Sequence, residues 1–336
     1  MKCRFPIDCV LALTYRCNSR CTMCDIWKME NSPELPVLEF AKLPSSLRDI
    51  NLSGGEPFLR QDLAEIVAVV AKACPQARFV ISSNGFATEL ILEQMKKVLK
   101  IKPDIGIAIS VDGIGEMHNE IRGIPGGFDR TIATVKGLKA LGMTNLRLAF
   151  TTNEKNINHL SKVYNLAQEL GVQFTNCFAQ SSEFYFGGKQ NINHPRREFL
   201  VKEYNYLIKQ ELKSWNLKRW ARAYFAYGMY KFIINKQEVL SNAPGRDFFF
   251  MDPSGKIYPS VVHNHPLGNI KDIGQNEFPT FEQFWCSDEV EARRVAVDAS
   301  QIPVWQICTA RTAIKKHPFK VAWWVFKNKF GGVSVV

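Results

Sequence analysis

Asp8-Cys9-Val10-Leu11-Ala12-Leu13-Thr14, then Tyr15-Arg16, then Cys17-Asn18-Ser19-Arg20-Cys21-Thr22-Met23-Cys24, is the stretch on which the reading of this chain turns. The first seven residues read as a short apolar β-strand, and a cysteine cluster follows at its carboxyl end. Similar β-like runs return at Asp49–Ser53, Arg78–Ser83, Asp104–Ser110, Leu146–Thr151 and Gln173–Cys177. Amphipathic segments lie between them: Leu63, Ile66, Val67 and Val70 share one helical face, and so do Leu160, Val163, Ala167 and Leu170. Six β-then-α units with no antiparallel hairpin among them predict parallel strands with helices outside. Six is fewer than the eight of a closed barrel, so the expectation is α/β, a partial (βα)6 TIM-like barrel open on one side. In such sheets chemistry gathers at the carboxyl ends of the strands.

The chain has 336 residues, enough for one large α/β domain with an appendage. With 46% apolar and 22% charged residues it is an ordinary globular composition, which excludes a disordered tail, a collagen and a coiled coil. No apolar run approaches the roughly 20 residues of a membrane-spanning helix. Val10–Leu13 is too short for a signal peptide, so a soluble cytoplasmic protein is expected. The net charge of +11 is not gathered in one block, and it suits a nucleic acid, an anionic membrane surface or an acidic protein. Nine cysteines are too few for a disulfide scaffold, and clustered cysteines in a cytosolic chain mean metal or redox chemistry first.

A closed structural zinc site wants four ligands, usually as paired Cys-x-x-Cys knuckles. Here three thiols stand together and no nearby histidine completes the set. Three thiolates on a four-iron cube leave one iron free, which is what chemistry at a cluster requires. Cys-x3-Cys-x2-Cys after a first strand resembles the radical S-adenosylmethionine superfamily. The resemblance implies one 4Fe–4S cluster on Cys17, Cys21 and Cys24, S-adenosylmethionine on the open iron, and oxygen sensitivity. It also implies reductive cleavage to a 5′-deoxyadenosyl radical that takes a hydrogen from substrate.

Further motifs resemble that family in order and strand-end position. Ser53-Gly54-Gly55-Glu56-Pro57 ends the second strand: its glycines free space for close backbone approach, and its carboxylate can accept from an ammonium group. It resembles the motif that binds the methionyl amino group. Ser82-Ser83-Asn84-Gly85 ends the third strand and resembles the family's Thr-Asn-Gly element. Ser110-Val111-Asp112-Gly113 ends the fourth and resembles its Ser-Leu-Asp-Gly element. Arg122 lies in the following segment, where an arginine meets the cofactor and a guanidinium can pair with a carboxylate. Gly54, Gly55, Glu56, Asn84, Ser110, Asp112 and Arg122 are therefore expected to bind S-adenosylmethionine. His118, close by, reads as a packing or capping residue.

Residues 1–240 are assigned to the barrel with its bridging helices, and 241–336 to a small α+β extension, a β-hairpin plus helices. Around 196–239, Trp220, Tyr224 and Tyr227 mark one face of a helix and Phe225, Met229 and Phe232 another, which predicts a helix packed on two sides. Phe248–Met251 and Lys256–Tyr258 flank Asp252-Pro253-Ser254-Gly255, a turn signal that predicts the hairpin. Ala243 to Ser260, with Gly268-Asn269-Ile270, resembles the SPASM or twitch extension of the superfamily. The cysteines of that pattern are mostly missing: Ala243 or Asn242 before the hairpin, Ser260 after it, and Gln301 and Val304 near the end stand where four would fall, and only Cys286 and Cys308 remain. The scaffold is expected without its auxiliary cluster. Another metal would have to be held by His263, His265, Cys286 and Cys308, and a pocket-covering role is the simpler expectation.

Without an auxiliary electron acceptor, redox-neutral outcomes (epimerisation, rearrangement or radical addition) gain weight over dehydrogenation. Cys177, at the end of the sixth strand, and Cys308 are candidate thiol hydrogen donors, with Cys286 a third. Expected substrates are a peptide, a sugar or aminocyclitol, or a lipid-linked molecule, and the electron donor an acidic flavodoxin or ferredoxin type. A nucleic acid is not an expected partner, and a degenerate binding protein would not keep the triplet intact. Near the C-terminus, Phe319, Trp323, Phe326 and Phe330 form one helical stripe among Lys320, Lys327 and Lys329. Either that helix docks on the extension's core, or it attaches peripherally to an anionic membrane; docking is the expectation.

Overall fold

The computed structural model describes residues 3–191, 194–275, 277–333 and 335. Its strands are β1 (Asp8–Ala12), β2 (Asp49–Ser53), β3 (Arg78–Ser83), β4 (Gly106–Ser110), β5 (Leu146–Thr152), β6 (Gln173–Phe178), β7 (Phe248–Met251), β8 (Lys256–Tyr258) and β9 (Gly268–Asn269). Its α-helices are α1 (Leu63–Ala73), α2 (Thr88–Ile101), α3 (Glu116–Arg122), α4 (Gly127–Ala140), α5 (Leu160–Glu169), α6 (Arg197–Leu212), α7 (Leu217–Asn235), α8 (Phe281–Trp285), α9 (Asp288–Ser300), α10 (Ile307–Lys316) and α11 (Pro318–Gly331). All six strands expected of the barrel are present, two with their starts and ends as read from the sequence.

The strands form one sheet in the order β6-β5-β4-β3-β2-β1-β7-β8-β9. β1 to β6 run parallel, with Leu11 beside Leu52, Leu52 beside Ile81 and Ile81 beside Ile107. The alternation of side chains divides the interior into two cores. Cys9, Leu11 and Leu13 join the large core beneath the helices, with Leu63, Ile66 and Val67 of α1. Val10 and Ala12 point the other way, into a smaller cluster with Phe248, Phe250, Tyr185 and Cys308. Both faces of β1 are thus covered, which is why the run is apolar throughout. The sheet is not closed: among the described residues β6 pairs only with β5, and β9 only with β8.

The extension continues the barrel. β7 lies parallel to β1, Leu11 beside Met251, and the expected hairpin follows through β8. One sheet therefore crosses the boundary expected at residue 240. α10 ties the chain end to the start of the sheet: Arg311 pairs with Asp8 (2.9 Å) and Asp49 (3.0 Å), and Lys315 with Asp49 (3.1 Å). Burial pushes the Asp8 carboxyl up to about 7, with Arg311 opposing it.

Two expectations are corrected here. Cys286 is joined to Cys3 in a disulfide, so it is not a free thiol for hydrogen donation or metal binding. The C-terminal helix does dock, but through Val321, Trp324 and Val325 and on α6 and α7; the stripe of Phe319, Trp323, Phe326 and Phe330 faces outward. Trp324 packs on Tyr224 (5.2 Å) and Tyr227 (5.0 Å), while Phe225 stacks on Trp305 from the other side of α7. The two aromatic faces read from the sequence are the two packed faces of that helix.

Candidate active site

A pocket of about 330 Å³ opens at the carboxyl ends of the parallel strands, and all three clustered cysteines line it. The loop that carries them is fixed by backbone bonds. Arg20 N donates to Arg122 O (3.0 Å) and Thr22 N to Ile121 O (2.9 Å), pinning it to the end of α3. Ser19 Oγ also donates to Arg122 O (2.9 Å) and lies 3.0 Å from Cys21 Sγ. Arg122 Nη1 reaches the same sulfur at 3.7 Å, and Asn84 Nδ2 lies 3.9 Å from Cys17 Sγ. Burial pushes the Cys17 and Cys24 thiols up to about 12, so protons stay on them unless a cation displaces them.

This donor set fits a cluster better than a single ion. Among the described residues no three His, Cys, Asp or Glu side chains converge tightly enough to hold one metal ion. A four-iron cube takes one thiolate per iron and needs no such convergence, and the Arg122 and Asn84 N–H groups suit the negative charge of ligating sulfur.

The expected cofactor residues fall into two groups. Gly54, Gly55, Asn84, Ser110 and Arg122 line the pocket. Glu56 and Asp112 do not; both are fully buried behind its wall. Glu56 accepts from Ser83 Oγ (2.9 Å), Asn84 N (2.7 Å) and Phe58 N (3.3 Å), which fixes the turn after β3, and burial pushes its carboxyl up to about 7. Asp112 pairs with Arg122 at 2.6 Å and accepts from Thr151 N at 2.6 Å. Burial raises its pKa against the pull of Arg122.

Gly54 and Gly55 also have a packing role in the turn that carries them. A Cβ on Gly55 would stand 2.2 Å from Arg16 O, and one on Gly54, whose φ is +132°, 2.4 Å from Thr14 O. They let the turn lie flat against the backbone that leads into the cysteine loop, bonded by Gly55 N to Thr14 O (2.7 Å) and Glu56 N to Arg16 O (2.9 Å). The close approach is of protein to protein.

Cys177 and Cys308 both line the pocket, from the end of β6 and the start of α10. Burial pushes the first up to about 11 and the second up to about 12, so both keep their S–H bonds at neutral pH. Cys177 Sγ is 3.4 Å from Thr151 Oγ1. His118 is the packing residue expected: its ring lies between Phe86 and Phe128, and Nδ1 accepts from Asp112 N (3.1 Å). His263 is engaged with Ser260 Oγ at 2.8 Å. With Cys286 in its disulfide, the alternative metal set is not assembled.

Several wall residues escaped the sequence reading. Tyr185 and Phe186, in the loop after β6, and Trp305 and Gln306, before α10, close the pocket, and Tyr185 donates to Gly54 O (3.1 Å). The aromatic run Phe184-Tyr185-Phe186, six residues beyond the end of β6, was the available signal.

Residues 11–167 match the Radical SAM superfamily, whose members use a 4Fe–4S cluster and S-adenosylmethionine. The sporulation killing factor maturation protein SkfB of Bacillus subtilis is 30% identical over 164 residues, 47% of this chain and 38% of its own. An AdoMet-dependent heme synthase of Methanosarcina barkeri is 24% identical over 305 residues, 83% of this chain and 81% of its own. The chain spans about two fifths of the length of the first curated relatives it matches. In fold it is similar to Streptococcus suis SuiB bound to S-adenosylmethionine, with TM-score 0.58 and 14% identity, over 87% of this chain and 68% of that one.

Proposed function

We propose that this chain holds a 4Fe–4S cluster on Cys17, Cys21 and Cys24, uses it with S-adenosylmethionine to abstract hydrogen from a substrate, and returns a hydrogen atom from a thiol, whose thiyl radical is restored by one electron from the protein electron donor and one proton. The observation that carries the reading is the meeting of three cysteines, two N–H donors and two protonated thiols in one pocket. Bound there, the cofactor pair supplies reductive cleavage of the sulfonium to a 5′-deoxyadenosyl radical. The chain's own part is positioning. Asp112 holds Arg122 against the Cys21 sulfur, Glu56 fixes the turn that carries Asn84, and Tyr185, Phe186 and Trp305 keep water from the pocket. Cys177 and Cys308 offer weak S–H bonds, which supports epimerisation or another redox-neutral outcome over dehydrogenation.

A groove of about 630 Å³ shares Phe178, Ala179 and Gln180 with the pocket, and Ser181, Ser182, Gln190 and Asn264 give it a polar lining. It suits a polar chain such as a peptide, the class to test first because the fold neighbour SuiB is seen bound to its precursor peptide SuiA, and because two relatives are named for maturation of a sporulation killing factor (SkfB) and biosynthesis of the bacteriocin subtilosin (AlbA). An acidic flavodoxin- or ferredoxin-type protein is the proposed electron donor. Anaerobic reconstitution followed by iron and 5′-deoxyadenosine assays tests the proposal. About four irons per chain are expected, lost when Cys17, Cys21 and Cys24 become alanine. Eight or more irons, or no 5′-deoxyadenosine with any electron donor, overturns it.

A further inference from the structure

Two stretches of the chain, 212–237 and 299–336, contain twelve lysines and arginines and no aspartate or glutamate. The remainder holds 31 basic against 32 acidic residues, so the whole net charge of +11 comes from these two stretches. They meet in space. α11 packs along α6 and α7, and the Phe330 ring lies 6.3 Å from Trp215 in the connection between those helices.

The outer side of this contact is apolar. Phe319 is 89% exposed, Trp323 70%, Phe326 59%, Phe330 62%, Trp215 71% and Leu217 73%. The rings make a continuous strip, Trp323 with Phe326 at 6.5 Å and Phe326 with Phe330 at 5.0 Å. Exposed Lys213, Lys218, Lys320 and Lys327 belong to the same two segments. The Lys329 ammonium lies 4.4 Å from the Trp215 ring centre and donates to Ser214 O (3.2 Å). A groove of about 810 Å³ opens beside Trp215 and Phe330 and adds Lys202 and Lys209; its one acid, Glu203, is held by Ser161 N at 2.7 Å.

Six large apolar side chains kept in water are costly, and contiguous exposed patches of this kind mark interaction surfaces. We propose that this face docks on the surface of an anionic lipid bilayer, with the aromatic strip of α11, Trp215 and Leu217 in the headgroup–acyl boundary and the lysines at phosphate level. The combination of amphipathic aromatics, lysines and no acid is what an interfacial helix needs. α11 is about 21 Å long and carries Lys320, Lys327 and Lys329, so it lies on the membrane. No described helix is long and apolar enough to cross one. A second copy fits the face less well, because a two-fold contact would bring the lysines of both copies together. The docking is independent of the proposed catalysis, since none of these side chains lines the catalytic pocket.

The test is co-sedimentation of the full chain with vesicles of phosphatidylglycerol and phosphatidylcholine in equal parts, against phosphatidylcholine alone. Binding is expected to the anionic vesicles only, and to fall steeply as salt rises from about 50 to about 500 mM. Trp323→Ser with Phe326→Ser should weaken it at least about tenfold, and Lys320→Glu with Lys327→Glu likewise, with melting temperatures unchanged because these side chains face water. Wild-type protein that stays in solution with anionic vesicles at low salt overturns the proposal, as does equal binding by the aromatic variant. So does a vesicle-free dimer abolished by Trp323→Ser with Phe326→Ser, which would mean that a second copy covers the face.

Discussion

Removing the guanidinium in Arg122→Ala tests whether Arg122 acts mainly as the counter-charge of Asp112 or mainly on the cofactor. Arg122 Nη2 lies 2.6 Å from a carboxylate with no solvent exposure, whose other oxygen accepts from Thr151 N. Truncation leaves that charge buried and unpaired, a loss of about 3–5 kcal/mol. Asp112 can lessen the loss only by taking a proton. Burial already raises its pKa and Arg122 holds it down, so the variant raises it further. A carboxyl whose folded pKa lies above its unfolded value loses stability as pH rises through that interval. The deficit of Arg122→Ala should therefore be larger at pH 8 than at pH 5.5. The double variant Arg122→Ala with Asp112→Asn removes the charge and should recover most of the loss while keeping an acceptor for Thr151 N. Anaerobic urea unfolding of the three proteins at both pH values reads these differences. A cost below about 1 kcal/mol for Arg122→Ala, or no rescue by Asp112→Asn, refutes the buried-pair account. Calorimetry on the rescued double variant then isolates the cofactor: S-adenosylmethionine binding should weaken by about 1.5–3 kcal/mol, and unchanged affinity removes Arg122 from the binding set.

Gly55→Ala puts a methyl 2.2 Å from Arg16 O, so the cysteine loop must shift; at least about 1–3 kcal/mol of stability and much of the reconstituted iron should be lost, and full iron loading would refute the packing role. Glu56 holds its proton up to about 7 when folded and to 4.5 when not, so the wild-type protein should lose about 3 kcal/mol of stability as pH rises between these values. Glu56→Gln should flatten that slope, and urea unfolding across the range checks it.

Local pattern carried a great deal of this protein. Apolar runs each followed by a helical period specified six parallel strands, because a strand buried on both faces must be apolar and a helix outside a sheet must be one-sided. The cysteine spacing and the strand-end glycine, serine and asparagine turns pointed to the pocket for the same reason: the end of a parallel strand is where a loop can present side chains. What one-dimensional pattern could not determine was direction and partnership. Phe319, Trp323, Phe326 and Phe330 looked like a buried stripe, yet α11 docks by the neighbouring Val321, Trp324 and Val325, since the surface offered by Tyr224 and Tyr227 decides which face is covered. Cys286 found Cys3 across nearly the whole chain, and two acid-free segments that look unrelated in sequence were brought to one face. Glu56 and Asp112 were legible as acids beside a site, but only the folded backbone turned them behind its wall, where their hydrogen-bond donors lie. Sequence alone determined the six barrel strands, the hairpin, the helices with a marked one-sided or two-sided apolar pattern and the cysteine loop, because those follow from neighbours along the chain. The tertiary structure decided which faces are covered and which charges are paired, because burial is settled by residues distant in sequence.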